Sequence, residues 1–343
     1  MTGRTPKSRL RWRRVAGIVA GVAVALWIAY KVANVRSATG LISLDTGCQS
    51  DPGTVADMSR LTPGAAPIRC EAWDIGTGVT GYAWRAPNAR AVLLLQTGWG
   101  EYAQRYVNQG SRLIPHLLDR GISVYAFDMW GSGRSPGKRG ATDVRRAVAD
   151  HLAARRKLRA QPLPVFVLGH SVGGLVTATS ALRDQDGLDG MILLAPALDW
   201  NLSAITRLVI RVGGFLAPTL PVPGASGGPL TNDPDAQRHL NEDPLMHHAP
   251  ISWVTASSGA TVSHENWMRY RELRVPVLVV HGSADRAPNP SGSRELVRLL
   301  ASSDKTLSII PRGLHNLLDD TTGPEVVELI LAWVDRRPAN AGR

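Results

Sequence analysis

From residue 66 onward, short apolar runs alternate with longer stretches whose apolar residues recur every three or four positions. The runs at 91–95, 122–127, 165–168, 191–194, 277–280 and 307–310 are too short for buried helices. Their apolar residues fall on both parities, which predicts strands covered on both faces. Two more runs, 68–74 and 79–84, flank a Gly-rich turn and predict an opening hairpin. Helical spacing is found at 103–119, 142–158, 172–184, 293–302 and 324–336. The alternation predicts an α/β fold with an eight-stranded, mostly parallel sheet and helices on both faces.

Between 199 and 270 the alternation fails. No strand pattern occurs there, and the interval is far longer than an ordinary strand-to-helix connection. It is therefore predicted to be a helical cap inserted into a core made of 67–198 and 271–343. Within it Ile205, Leu208, Val209, Val212, Phe215 and Leu216 share one helical stripe, with Arg207 and Arg211 off it. Such a stripe either packs on a core or forms a lid over an apolar pocket, and its place in the chain favours the lid.

Residues 1–36 hold no acid but eight basic residues, so they carry most of the formal charge of +11. The folded part keeps only a small excess, which argues against a nucleic-acid-binding surface. A basic arm (1–14) is followed by a largely apolar stretch (15–35) whose only charge is Lys31, at roughly 1.5 Å per residue long enough to span a bilayer. The expectation is a transmembrane helix, with the membrane as a partner: a single-pass protein whose N-terminus is cytoplasmic and whose catalytic domain is extracytoplasmic, in a bacterial envelope. A cleaved signal peptide is the competing reading. A linker (36–66) follows. The only two cysteines, Cys48 and Cys70, lie just past the apolar stretch, where an oxidising compartment would pair them in a disulfide.

Gly169-His170-Ser171-Val172-Gly173 joins a predicted strand to a predicted helix. This is the context for a nucleophilic serine on a sharp turn, with Gly169 and Gly173 supplying the room. A second match, from Gly224 to Gly228 around Ser226, has prolines on both sides and neither strand nor helix, so context rejects it. A serine hydroxyl needs a base and an orienting acid, expected downstream in the order Asp, His. Asp285 follows the strand at 277–280 and His315 the strand at 307–310. His281 is a second histidine in the region, but it sits too early and too close to its strand to be the base. Two N–H donors must receive the oxyanion, and Val172 and Trp99, in the loop Thr97-Gly98-Trp99-Gly100, fit that role. His247 and His248 are adjacent and lack companion ligands, so no metal site is expected.

These residues resemble the monoacylglycerol lipase and lysophospholipase-like branch of the α/β-hydrolases, of serine aminopeptidase S33 type, over about residues 68 to 337. The resemblance rests on the run from Gly98 to Tyr106, the run from Asp128 to Ser135, Gly137-Lys138-Arg139-Gly140, Asp243-Pro244-Leu245 and the triad segments. Thr97, where the family usually has His, and Asn316, where Glu is frequent, depart from the pattern. The resemblance implies a cofactor-free serine hydrolase acting on an ester of a single-chain lipid, monoacylglycerol or lysophospholipid, through an acyl-enzyme on Ser171. An acyltransferase using the same triad, or a binding protein that kept the fold without the chemistry, are the alternatives.

Overall fold

The computed structural model describes residues 48, 55–200, 202–223, 228–286 and 288–337. The strands are β1 (Val55–Ala56), β2 (Ile68–Arg69), β3 (Glu71–Ala72), β4 (Gly81–Trp84), β5 (Ala91–Gln96), β6 (Ile122–Phe127), β7 (Val165–His170), β8 (Gly190–Leu194), β9 (Val277–Gly282) and β10 (Lys305–Ile310). Eight of them form one sheet in the order β10-β9-β8-β7-β5-β6-β4-β3, parallel from β10 to β6 and antiparallel beyond. The expected mostly parallel eight-stranded sheet is therefore present. Its parallel strands end together, so the loops after Gln96, His170, Gly282 and Ile310 gather along one edge, where sheets of this kind place their sites.

Burial on both faces explains the uniform apolar runs of β5 to β9, whereas the edge strand β10, also expected to be covered on both faces, is only partly buried. Along β5, Leu93 and Leu95 pack with Trp84, Phe166, Leu168 and Trp333 on one side. Val92 and Leu94 pack with Tyr125, Val165, Val167 and Met191 on the other, the period of two that a pleated strand imposes.

The helices are α1 (Arg105–Asn108), α2 (Leu113–Asp119), α3 (Val144–Arg159), α4 (Val172–Arg183), α5 (Ala204–Leu216), α6 (Pro234–Glu242), α7 (Trp253–Trp267), α8 (Pro290–Leu299) and α9 (Gly323–Asp335). The helix predicted over 103–119 is broken in two. Gly110 adopts φ 53°, and a Cβ there would lie 2.7 Å from the Leu318 carbonyl, so the chain turns to admit the 318–319 backbone. The helix predicted at 293–302 starts three residues early, because Asn289 caps it and Pro290 opens it. The predicted opening strand at 68–74 is also split. β2 pairs with β1 in a separate small sheet, whereas β3 joins the main sheet against β4. Cys70, between them, is disulfide-bonded to Cys48.

The β8–β9 connection carries α5, α6 and α7. The apolar stripe of α5 does not face inward as expected. Ile205, Leu208, Val209, Val212, Phe215 and Leu216 are 48–76% exposed, and only Ile210 is buried. The helix instead turns its glycines to α7: a Cβ on Gly213 would meet the Trp253 ring at 2.4 Å, and one on Gly214 the Ser257 side chain at 2.7 Å.

The arm, the apolar segment at 15–35 and most of the linker lie outside the described residues, as does Ser226. Among the described residues no helix is long and apolar enough to cross a membrane. The longest, α3, has 16 residues with a strongly charged face, against the roughly 20 apolar residues a span requires. The single-pass placement with an extracytoplasmic catalytic domain is corrected on that finding.

Candidate active site

Ser171 sits between β7 and α4 at φ 54°, ψ −122°, a backbone region that side chains rarely occupy. The turn closes only because its flanking residues lack side chains. A Cβ on Gly169 would lie 2.4 Å from the Gly173 carbonyl oxygen, and one on Gly173 would lie 2.3 Å from that of Thr97. The strain lifts the hydroxyl off the sheet edge toward the loops that follow β9 and β10.

Those loops bring Asp285 and His315 to it. His315 Nε2 is 2.8 Å from Ser171 Oγ, and its Nδ1 is 2.7 Å from Asp285 Oδ2. Burial raises the Asp285 pKa, but hydrogen bonds from His281 and His315 outweigh it and hold the carboxyl well below the usual range. Burial lowers His315; the bond to Asp285 opposes this, and the charge of His170 adds to it. The result is a neutral imidazole between an ionised acid and a hydroxyl, the arrangement that lets a serine act as a nucleophile.

Val172 is the first residue of α4, so its N–H has no intrahelical partner. Trp99 faces the same space from the loop after β5, its indole N–H donating to the Gly140 carbonyl at 3.1 Å and its ring edge-on to His247. A cavity of about 540 Å³ opens here, lined by Trp99, Ser171 and His315 from the core and by Leu240, Met246 and Ile251 from the β8–β9 insertion. No residue of the α5 stripe lines it. The groove of about 720 Å³ that α5 does line, against α7, contains none of the three triad residues.

Glu101 and His170, at the cavity wall, belong to a buried ionic network that the sequence did not reveal. Glu101 accepts from Gly98 N and Tyr106 Oη, both at 2.8 Å, and from His170 Nδ1 at 3.1 Å. Arg105 joins it to Asp319, at 3.3 Å and 2.6 Å. Burial opposes the Glu101 charge, yet His170 and Arg105 drive its pKa well below the carboxylate range, and Glu101 in turn raises His170 against that residue's own burial. The only sequence signal was Glu101 and Arg105 four residues apart after the oxyanion loop. His281, set aside as the base, is fully buried and lies 3.2 Å from Asp285. His247 and His248 take separate partners, His247 against Trp99 and His248 on the Asp243 carbonyl.

Comparison with known proteins gives the family of this chain. The family model described as serine aminopeptidase, S33, matches residues 87–322. The chain is 31% identical over 250 residues to a monoacylglycerol lipase of Mycolicibacterium smegmatis, covering 71% of this chain and 88% of that protein. It is 29% identical to a human monoglyceride lipase over 266 residues, 74% of this chain and 85% of the relative. The crystal structure of the Paleococcus ferrophilus monoacylglycerol lipase superposes with a TM-score of 0.68 at 30% identity, covering 76% of this chain and 99% of that one.

Proposed function

The chain belongs to the serine aminopeptidase S33 family, and from that premise we propose that it is a serine hydrolase of lipid esters, with monoacylglycerol as the substrate class. The observation that carries this reading is the hydrogen-bonded series Ser171–His315–Asp285, at 2.8 Å and 2.7 Å, opening into a cavity beneath the β8–β9 insertion. Ser171 Oγ attacks the acyl carbon while its proton passes to His315 Nε2, and Asp285 stabilises the imidazolium. The N–H groups of Trp99 and Val172 receive the oxyanion. His315 then returns the proton to the departing alkoxide, leaving the acyl chain on Ser171. Water, deprotonated by the same imidazole, releases the fatty acid.

Segment 199–270 acts as the cap, contributing Leu240, Met246 and Ile251 to an apolar wall suited to a single acyl chain. Lipid relatives favour an ester over a peptide substrate, and so does the site's charge. An aminopeptidase must pair the substrate ammonium with a carboxylate. Among the described residues lining the cavity the only acid is Glu101, already engaged by His170, Arg105, Tyr106 and the Gly98 amide.

The test is fluorophosphonate labelling with the adduct located by mass spectrometry, alongside fatty-acid release from monoacylglycerol. Ser171→Ala and His315→Ala are expected to lower turnover by about 10⁶, the scale known for the equivalent losses in subtilisin, and Ser226→Ala to leave it unchanged. An adduct on Ser226, or turnover surviving in Ser171→Ala, overturns the assignment.

A further inference from the structure

We propose that His281 is a positioning residue for this reaction, fixing and sharing the Asp285 oxygen on which His315 depends; the inference rests on the triad reading above. The imidazole of His281 is wholly buried at the end of β9. Its Nε2 lies 3.2 Å from Asp285 Oδ2 and 3.1 Å from the Pro288 carbonyl oxygen, and its Nδ1 lies 2.7 Å from Ser293 Oγ. A carbonyl oxygen only accepts, and so does an ionised carboxylate, so Nε2 holds the proton. The partners thus place a proton on Nε2, while Nδ1 is hydrogen-bonded to the Ser293 hydroxyl. His281 is a fixed hydrogen-bond donor aimed at the acid of the triad.

The oxygen it reaches is the one His315 uses. Asp285 Oδ2 accepts from His315 Nδ1 at 2.7 Å and from His281 Nε2 at 3.2 Å. The second donor supports the charged form of a carboxylate whose side chain is only 2% exposed. It also divides that oxygen's attraction between two imidazoles, so His315 binds its proton less tightly than an undivided carboxylate would make it. The ring is locked from three elements: β9 carries it, Ser293 of α8 holds one nitrogen, and Pro288 in the intervening loop holds the other. Gly282, next in sequence, keeps this packing close to the His315 loop, since a Cβ there would lie 2.2 Å from the Gly313 carbonyl oxygen.

A purely structural His281 would affect folding but not proton affinity at the site, and that difference sets the experiment. With the full chain, kcat, KM and the pH profile of kcat/KM are measured on a soluble monoacyl ester for His281→Leu and His281→Gln, per active site titrated with fluorophosphonate. His281→Leu is expected to lower kcat about tenfold or more, the scale of one hydrogen bond to a charged group, with KM little changed. Its acid limb moves to higher pH, because Asp285 then attracts the His315 proton undivided. His281→Gln can place an amide N–H where Nε2 was, and recovers most of kcat and the original limb. Should His281→Leu not fold, Ser293→Ala, which frees the ring without emptying its site, is expected to move both quantities in the same directions by less. An acid limb in the Leu or Ala variant that coincides with wild type overturns the proposal, as does a Gln variant as impaired as the Leu variant. Turnover persisting in Ser171→Ala or His315→Ala would instead defeat the triad reading itself, so the two failures are distinguishable.

Discussion

At the scale of single residues, two neighbouring imidazoles of the candidate site are pushed in opposite directions by their surroundings. His170 is raised by its contact with Glu101, whereas His315, about one ring away at 5.0 Å between centroids, is lowered by burial and by the neighbouring charge of His170. A base must be unprotonated to accept the Ser171 proton, so activity is lost only when pH falls far enough to charge His315. The acid-side midpoint of kcat/KM on a soluble ester is therefore expected below the ordinary histidine value of about 6.5. A pH-rate profile checks this, and a midpoint above that value would show that Asp285 dominates both burial and His170. Glu101→Gln weakens the His170 charge that lowers His315 and also removes the smaller direct pull by which Glu101 raises it. The His170 contribution being the larger, the midpoint is expected to rise, and a midpoint that falls would show that the direct pull of Glu101 dominates.

At the scale of elements, α5 separates what periodicity reveals from what it hides. The spacing of Ile205, Leu208, Val209, Val212, Phe215 and Leu216 identified a helix correctly, yet those residues face solvent while Gly213 and Gly214 make the close contact with α7. Apolar spacing defines a face but not what covers it. The strands were legible because burial on both sides leaves a run with no polar parity. The break between α1 and α2 was not, because it answers to the backbone at Leu318, more than two hundred residues away in sequence. Since the stripe is exposed and lines neither the core nor the cavity at Ser171, Leu208→Asp combined with Val212→Asp is expected to change stability by about 0.5 kcal/mol or less per site, the usual range for surface positions. Turnover of a short soluble ester should stay within about twofold, as expected for residues that touch no reacting group. Thermal melts and ester kinetics decide it: a loss of several degrees would mean that the exposed face packs against something in the folded chain.

At the scale of the whole molecule, the meeting of Ser171, Asp285 and His315 was readable because each follows a strand in a parallel sheet, and parallel strands deliver their C-terminal loops to one edge. The supporting contacts were not, because they join distant segments: Arg105 to Asp319 across 214 positions, His170 to Glu101 across 69. The disulfide belongs to the opposite end of this architecture. Cys70 stands where the chain leaves the small β1–β2 sheet to form β3, the edge strand farthest from β10, and Cys48 is buried with it in the same core layer. The triad loops follow β7, β9 and β10, so the bridge bears on stability rather than on chemistry. Its partners are 22 residues apart, for which a chain-entropy model gives a stabilisation of roughly 3 kcal/mol. In a domain of this size each kcal/mol moves Tm by about 2–4 °C, so Cys48→Ser with Cys70→Ser is expected to lower Tm by roughly 6–12 °C. At moderate temperature kcat per titrated active site should be unchanged. Reductant is expected to reproduce the shift in the wild-type chain and to do nothing further to the double variant. An unshifted Tm would remove the bridge from the stability of this fold, and a fall in kcat at temperatures where the variant remains folded would mean that the β3 edge communicates with the site.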